Sequence, residues 1–321
     1  MPTRQLGQTA HHVSPIGLGC WQFSRRRGLV GKFWEDLDQE RMNAIVRASL
    51  DGGIDWFDTA EVYGKGASEE ALAVALRAAD KQDGEVLVAT KWWPTLRRAK
   101  SITATIGERQ QRLGGYHIGL HQVHQPLSVS SVAKQMNAMA DLLEQGAIGA
   151  VGVSNFSERR MRAAHQALQA RGHVLATNQM HYSLLNRAIE GNGVMDAAKE
   201  LGITIIAYSP LEQGLLSGKF HDDPSLIRSR PGFRRYMPAF RAKGLQRSLP
   251  LIEALRRIAA AHAATPAQVA LAWLLAFHGE SVVAIPGATK VAHVADNVGA
   301  MRLELTPEEL AELDTLSRPF M

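Results

Sequence analysis

Residues 118–154 read IGLHQVHQPLSVSSVAKQMNAMADLLEQGAIGAVGVS. The stretch opens on a short run containing Ile, Leu and Val, Ile118 to Val123. A polar loop follows, then a helical pattern from Val129 to Glu144. Gly146 stands where that helix should stop, and a second apolar run covers Ala150 to Ser154. Glycine just past the last helical residue marks a helix C-terminus. Short runs of Val, Ile and Leu are what strands buried on both faces require. The order strand, helix, strand predicts a parallel βαβ unit.

The same alternation extends in both directions. Further strands are predicted at Ser14 to Gly19, Ile54 to Asp58, Glu85 to Lys91, Val174 to Met180, Ile203 to Tyr208 and Val282 to Pro286. Helices are predicted at about Asp38 to Leu50, Glu69 to Ala79, Ile102 to Leu113, Glu158 to Gln169, Val194 to Leu201, Leu249 to His262 and Pro266 to Phe277. Ser68, Thr265 and Thr306 read as N-caps, the last two followed by Pro at the first helical position. Gly202 reads as a helix stop. Eight strands alternating with helices favour an α/β fold of the (β/α)8 TIM-barrel type over an open doubly wound sheet. The first ~14 residues, turning at Gly7-Gln8-Thr9, read as an N-terminal β-hairpin preceding the barrel. No linker or repeat divides the chain, so residues 1–321 are expected to form one barrel domain. Two long irregular stretches, Gln22 to Asp36 and Pro210 to Gly244, fall at the C-terminal face of the strands, where such loops carry function.

Composition agrees. The chain has 321 residues, 45% hydrophobic and 21% charged, with 28 Gly and 13 Pro, ordinary values that argue against disorder and collagen-like repeats. Cys20 is the only cysteine, which excludes an internal disulfide framework and fits a reducing, cytoplasmic compartment. The longest apolar run, Val269 to Phe277, is too short to span a membrane, and Met1 to His12 lacks a signal core. The net charge of +5 is spread over loop clusters with little aromatic interleaving, so neither nucleic acid nor membrane is expected as a partner. His121 and His124 lie three apart on one strand and point to opposite faces, so they do not share a metal; no metal site is expected.

The polar residues at successive strand ends carry the chemistry. Strand two ends at Asp58 and leads through a short loop to Tyr63; strand three ends at Lys91; strand four leads to His124. A tyrosine phenol ionises near pH 10, and an adjacent ammonium is expected to lower that value. A desolvated ammonium needs a carboxylate partner, and Asp58 is placed to serve. A histidine at the next strand end can orient the oxygen being protonated. The set donates a proton and contains no strong nucleophile, which suits carbonyl reduction. Side chains carry no hydride, so a nicotinamide cofactor is implied.

These residues resemble the aldo-keto reductases. The resemblance runs from about Gly17 to Leu316 through Gly17-Leu18-Gly19, Asp55-Trp56-Phe57-Asp58-Thr59-Ala60 with Tyr63-Gly64, Ala89-Thr90-Lys91, Val123-His124-Gln125-Pro126, Gly152-Val153-Ser154-Asn155-Phe156, Asn178-Gln179, Tyr208-Ser209-Pro210-Leu211 and Ile285-Pro286-Gly287-Ala288. It implies a (β/α)8 barrel and a catalytic set of Tyr63, Asp58, Lys91 and His124. It also implies NADPH, with NADH as the other option, acting on a small-molecule carbonyl substrate. Ser154, Asn155 and Gln179 match residues that hold the carboxamide, and Tyr208 matches the aromatic that stacks on the nicotinamide ring. Ser209, Leu211, Gly214, Leu215 and Lys219 match the loop that crosses the pyrophosphate. Gly287, Thr289 and Lys290 open the helix after strand eight, whose N-terminus favours an anion. Asp296 and Asn297 match the adenine-side pair.

Two departures stand out. His293 occupies a place where relatives carry arginine near the 2′-phosphate, and Gln125-Pro126 stands where an aromatic is common. Trp21, Trp92 and Trp93 follow strand ends and are expected to line the substrate pocket, with Trp92 favoured and plain packing open for one of the adjacent pair. A second function class stays open: a non-catalytic barrel that binds nicotinamide cofactor as a redox-sensing regulatory protein. Substrate and oligomeric state are not legible at this level.

Overall fold

The computed structural model describes residues 3–28, 33–229, 232 and 234–321. Parts of the two long loops, residues 29–32 and residues 230, 231 and 233, lie outside the described residues, as do 1 and 2. Strands β1 (Arg4–Gln5) and β2 (His12–Val13) form the expected antiparallel hairpin. Its turn needs Gly7, whose φ is 58° and whose missing Cβ would stand 2.5 Å from the Ala176 carbonyl oxygen.

The remaining strands are β3 (Leu18–Gly19), β4 (Trp56–Asp58), β5 (Leu87–Trp92), β6 (Ile118–Val123), β7 (Val151–Ser154), β8 (Leu175–His181), β9 (Thr204–Tyr208) and β10 (Val282–Ala284). Each pairs in parallel with its neighbour in chain order. Bridges from Ile16 to Ala284 and from Gly19 to Gly287 join the first strand to the last. The fold is a (β/α)8 barrel. Its interior is filled by Leu6 and Val13 from the hairpin with Trp56, Ala89, Leu120, Ile206 and Val283. A larger apolar layer fills the space between strands and helices.

Helices Glu158–Gln169, Val194–Leu201 and Pro266–Phe277 have the limits their patterns indicate. Thr265 and Thr306 close capping boxes. Ser68 is not a cap. Helix Ala67–Ala78 starts after Gly66 (φ 91°), and the buried Ser68 hydroxyl donates to the Cys20 carbonyl at 2.7 Å and accepts from Thr59 Oγ1 at 2.8 Å. Tertiary partners for its hydroxyl, rather than the local backbone, decide its place. The helix read across Ile102 to Leu113 divides into Lys100–Ala104 and Ile106–Arg112, because Thr105 leaves helical geometry. The helix read from Leu249 starts earlier, at Ala242, and carries Pro250 in its interior. Among the described residues no single helix is long and apolar enough to cross a membrane.

Candidate active site

The C-terminal ends of the barrel strands and the loops after them enclose a cleft of about 760 Å³. Strand alternation decides which side chains reach its floor. Trp56 and Ala89 point into the barrel, so Asp58 and Lys91, two residues on, do the same. Lys91 is fully buried; its Nζ donates to Asp58 Oδ1 and to the Thr59 carbonyl at 2.8 Å. Asp58 Oδ2 accepts from Gln122 Nε2 at 3.1 Å and Gln179 Nε2 at 3.0 Å. Both carboxylate oxygens are therefore satisfied, which is what keeps a buried ion pair from being a liability.

Tyr63 stands over this pair, with the Lys91 ammonium 5.1 Å from its ring centroid. The His124 ring meets Tyr63 edge-on, centroids 5.5 Å apart, and Trp21 lies nearly parallel to it at 6.2 Å. Asp58, Tyr63, Lys91 and His124 thus come together as expected.

Their protonation departs from expectation in one respect. Burial, with the Asp58 carboxylate, holds the Tyr63 phenol well above its usual value. Desolvation, with the Asp58 carboxylate, outweighs the neighbouring ammonium. The phenol is neutral and carries the proton it would donate. Burial, with Lys91 nearby, holds the His124 imidazole well below its usual range, so it too is neutral at pH 7. Burial pulls the Lys91 ammonium down and Asp58 opposes this. Burial raises the Cys20 thiol strongly, which leaves it protonated and unreactive.

Glu61, in the loop from Asp58 to Tyr63, ties that loop to the next. Its Oε1 accepts from the Trp93 backbone N–H and from Arg97 Nη1, each at 2.5 Å, and its Oε2 accepts from Arg109. This clamp and the inward Gln122 were missed from the sequence. Gln122 had a signal, since it lies two residues before His124 on one strand.

The other expected residues divide clearly. Ser154, Asn155, Gln179, Tyr208, Ser209, Leu211, Gly214, Lys219, Gly287, Thr289, Lys290, His293, Asp296 and Asn297 all line the cleft. Asn155 Nδ2 donates to Ser154 Oγ at 3.1 Å, and Tyr208 Oη donates to Asn155 Oδ1 at 3.0 Å. One face of Tyr208 is covered by His181, stacked at 5.2 Å. Gly214 (φ 91°) leaves room for Lys219, whose Nζ would be 3.0 Å from a Cβ there. The Thr289 backbone N–H donates to His293 Nδ1 at 3.3 Å. Lys290 precedes helix Val291–Ala300 as its N-cap.

Two expectations are corrected. Trp92 follows the inward Lys91 and so points outward into the helix layer, where its Nε1 donates to Ser101 Oγ at 3.0 Å. Of the adjacent pair it is Trp93, beyond the strand end, that lines the cleft, with Trp34. Leu215 does not line the cleft; it is buried in a small core with Phe220, Ile227 and Phe240 that anchors the loop from beneath.

The cleft suits a long, polar, donor-and-acceptor-bearing ligand. Asn297 Nδ2 is buried in its wall without a partner, and a helix N-terminus faces it beside Lys290. The aldo/keto reductase family profile matches residues 15–318. The chain belongs to this family. Among relatives, an oxidoreductase of Mycobacterium tuberculosis (strain ATCC 25618 / H37Rv) is 41% identical over 312 residues, covering 96% of this chain and 90% of the relative. Aldo-keto reductase str7 of Strobilurus tenacellus is 33% identical, covering 99% and 92%. Among solved structures, the glycerol dehydrogenase AKR11B4 from Gluconobacter oxydans superposes with a TM-score of 0.84 at 26% identity, covering 99% and 96%. The thermostable aldo-keto reductase Tm1743, in complex with the inhibitor epalrestat, gives 0.79 at 29% identity, covering 98% and 100%. This aldo-keto reductase is accordingly an NAD(P)H-dependent oxidoreductase of the carbonyl-reducing kind that acts on small molecules.

Proposed function

We propose that this chain reduces an aldehyde or ketone to the alcohol with NADPH, with Tyr63 delivering the proton. The observation that carries this reading is the placement of a neutral phenol between the Asp58–Lys91 pair and the neutral His124 at the cleft floor. A bound nicotinamide supplies the hydride. Ser154, Asn155 and Gln179 offer the donors and acceptors an amide needs, and Tyr208 offers a ring face. His124, uncharged, can donate to the carbonyl oxygen without competing for the proton. Tyr63 Oη then passes its proton to that oxygen. The Lys91 ammonium, 5.1 Å from the Tyr63 ring centroid, stabilises the phenolate left behind in a poorly solvated site. The reverse sequence oxidises an alcohol. Trp21, Trp34 and Trp93 form apolar walls for the substrate. Lys290, at the start of helix Val291–Ala300, favours the additional phosphate of NADPH over NADH, while His293 stands where relatives carry arginine.

The test is Tyr63→Phe assayed with NADPH and NADH against a panel of aldehydes, ketones and sugars. Turnover should fall at least about a hundredfold, the usual weight of general acid catalysis. NADPH affinity should stay within about twofold. An active Phe variant refutes the role of Tyr63. Tight NADPH binding by the wild type with no oxidation across the panel would instead assign the barrel to cofactor sensing.

A further inference from the structure

Three loops of the cleft meet on Glu61. It lies in the segment from Asp58 to Tyr63, and its side chain is 10% exposed. Oε1 accepts from the Trp93 backbone N–H and from Arg97, and Oε2 accepts from the fully buried Arg109. Arg97 passes the tie onward. Its guanidinium donates to the Trp93 carbonyl at 3.2 Å and to Thr105 Oγ1 at 2.9 Å. Its own carbonyl accepts from Ser128 Oγ at 2.9 Å and from the Val129 backbone N–H at 3.3 Å. Glu61 thereby joins the loops after β4, β5 and β6. Those loops carry Tyr63, Trp93 and His124, whose rings also meet: Trp93 is edge-on to His124 at 5.1 Å, and His124 to Tyr63 at 5.5 Å. Glu61 itself does not line the cleft.

Backbone bonds hold the Tyr63 segment unevenly. The Thr59 N–H donates to the Ala89 carbonyl at 2.8 Å, but the Glu61 N–H reaches the Lys91 carbonyl only at 3.3 Å, and the Tyr63 N–H turns back to Ala60 within its own loop. The carboxylate of Glu61 adds charge-assisted bonds at the weak point, and such bonds are roughly twice as strong as neutral ones. Proton transfer tolerates little slack: a misplacement of about 1 Å can cost about a hundredfold in rate. Resting on the reading of Tyr63 as proton donor, we propose that Glu61 is a positioning residue of the reductase. By gathering the loops after β4, β5 and β6 on one carboxylate, it holds the Tyr63 hydroxyl and the His124 ring in register for one carbonyl oxygen.

The experiment follows single-turnover hydride transfer by stopped flow, with saturating NADPH and the aldehyde that the wild type reduces best. NADPH affinity and melting are measured beside it for wild type, Glu61→Ala, Glu61→Gln and Arg97→Met. Glu61→Ala should slow transfer by about thirtyfold or more while NADPH affinity stays within about twofold. Glu61→Gln keeps an acceptor for the Trp93 N–H and Arg97 and should recover most of that loss. Arg97→Met leaves Arg109 paired and should cost about fivefold. If Glu61→Ala transfers hydride at the wild-type rate per folded molecule, or loses activity only in step with NADPH affinity or folded fraction, the proposal is overturned while the donor reading stands. Should Glu61→Ala not fold, Arg97→Met decides, and an unchanged transfer rate there overturns the proposal. If Tyr63→Phe remains active, the donor reading fails and the proposal with it.

Discussion

Glu69 and Glu190 are both drawn inside against arginine, yet the first carboxyl is pushed up to about 7 and the second is held down to about 2. Burial acts on both in the same direction. The donors differ. Glu69 receives one hydroxyl, from Thr90 at 2.6 Å, while its Oε2 has no hydrogen bond and lies 3.6 Å from Arg112. Glu190 faces His278 Nε2 at 3.6 Å, receives Arg187 through both oxygens, at 2.8 and 2.5 Å, and receives the Tyr182 hydroxyl at 2.6 Å. Arg187 also pairs with Asp314 at 2.7 Å and lies 5.0 Å from the Trp273 ring. The Glu190 cluster is a fastening: it ties the loop after β8 to the C-terminal helix, and the Arg187 backbone N–H donates to the Phe320 carbonyl at 2.8 Å. The Glu69 cluster backs the cleft, since Thr90 sits on β5 next to Lys91. Depth and hydrogen-bond supply act together: Glu69 is fully buried with one donor, whereas Glu190 keeps partial exposure and several donors.

The sharpest break of this contrast is Arg187→Met. It strands two carboxylates and should cost about 3–5 kcal/mol of unfolding free energy, read by denaturant titration. Turnover per folded molecule should not change. Asp58→Asn makes the opposite demand. Here turnover should fall by about a hundredfold or more, and melting should fall too because Lys91 loses its partner. If Asp58→Asn lowers only stability, the cleft pair is another fastening.

The pH dependence has opposite signs at the two glutamates. The Glu69 carboxyl is raised from 4.5 to about 7 on folding, so between those values the native state holds the extra proton. Stability therefore declines as pH rises through that window, by up to roughly 3 kcal/mol, and Glu69→Gln should remove the decline. Glu190 is lowered from 4.5 to about 2, so its contribution is present above pH 4.5 and is lost as pH falls toward 2. Glu190→Gln should flatten that acid limb. The smallest effect expected is for Thr90→Val: deleting the one hydroxyl on Glu69 should cost about 1 kcal/mol at pH 8 and move the Glu69 midpoint further up.

The eight strands were legible because a barrel strand, covered on both faces, must be short and apolar, and the helices between them carry glycine stops and threonine caps. The four residues at the cleft floor were legible for a related reason: Asp58 and Lys91 lie at strand ends, and Tyr63 and His124 lie in the segments that follow. Period-two alternation, applied strictly, would also have sent Trp92 outward and brought Gln122 inward. Leu215 was not legible. It lies in an irregular loop where no period says which side faces in. The protonation of Tyr63 was not legible either, because its sign depends on whether Asp58 or solvent compensates Lys91, and only packing decides that.

The hairpin at the start of the chain has a consequence in time. Leu6 and Val13 plug the barrel interior, and the Arg4 guanidinium reaches the carbonyls of Leu275 and Val282. Arg4 therefore gains these partners only when residues 271 and 278 positions further along the chain are in place. Contacts so distant along the chain slow folding.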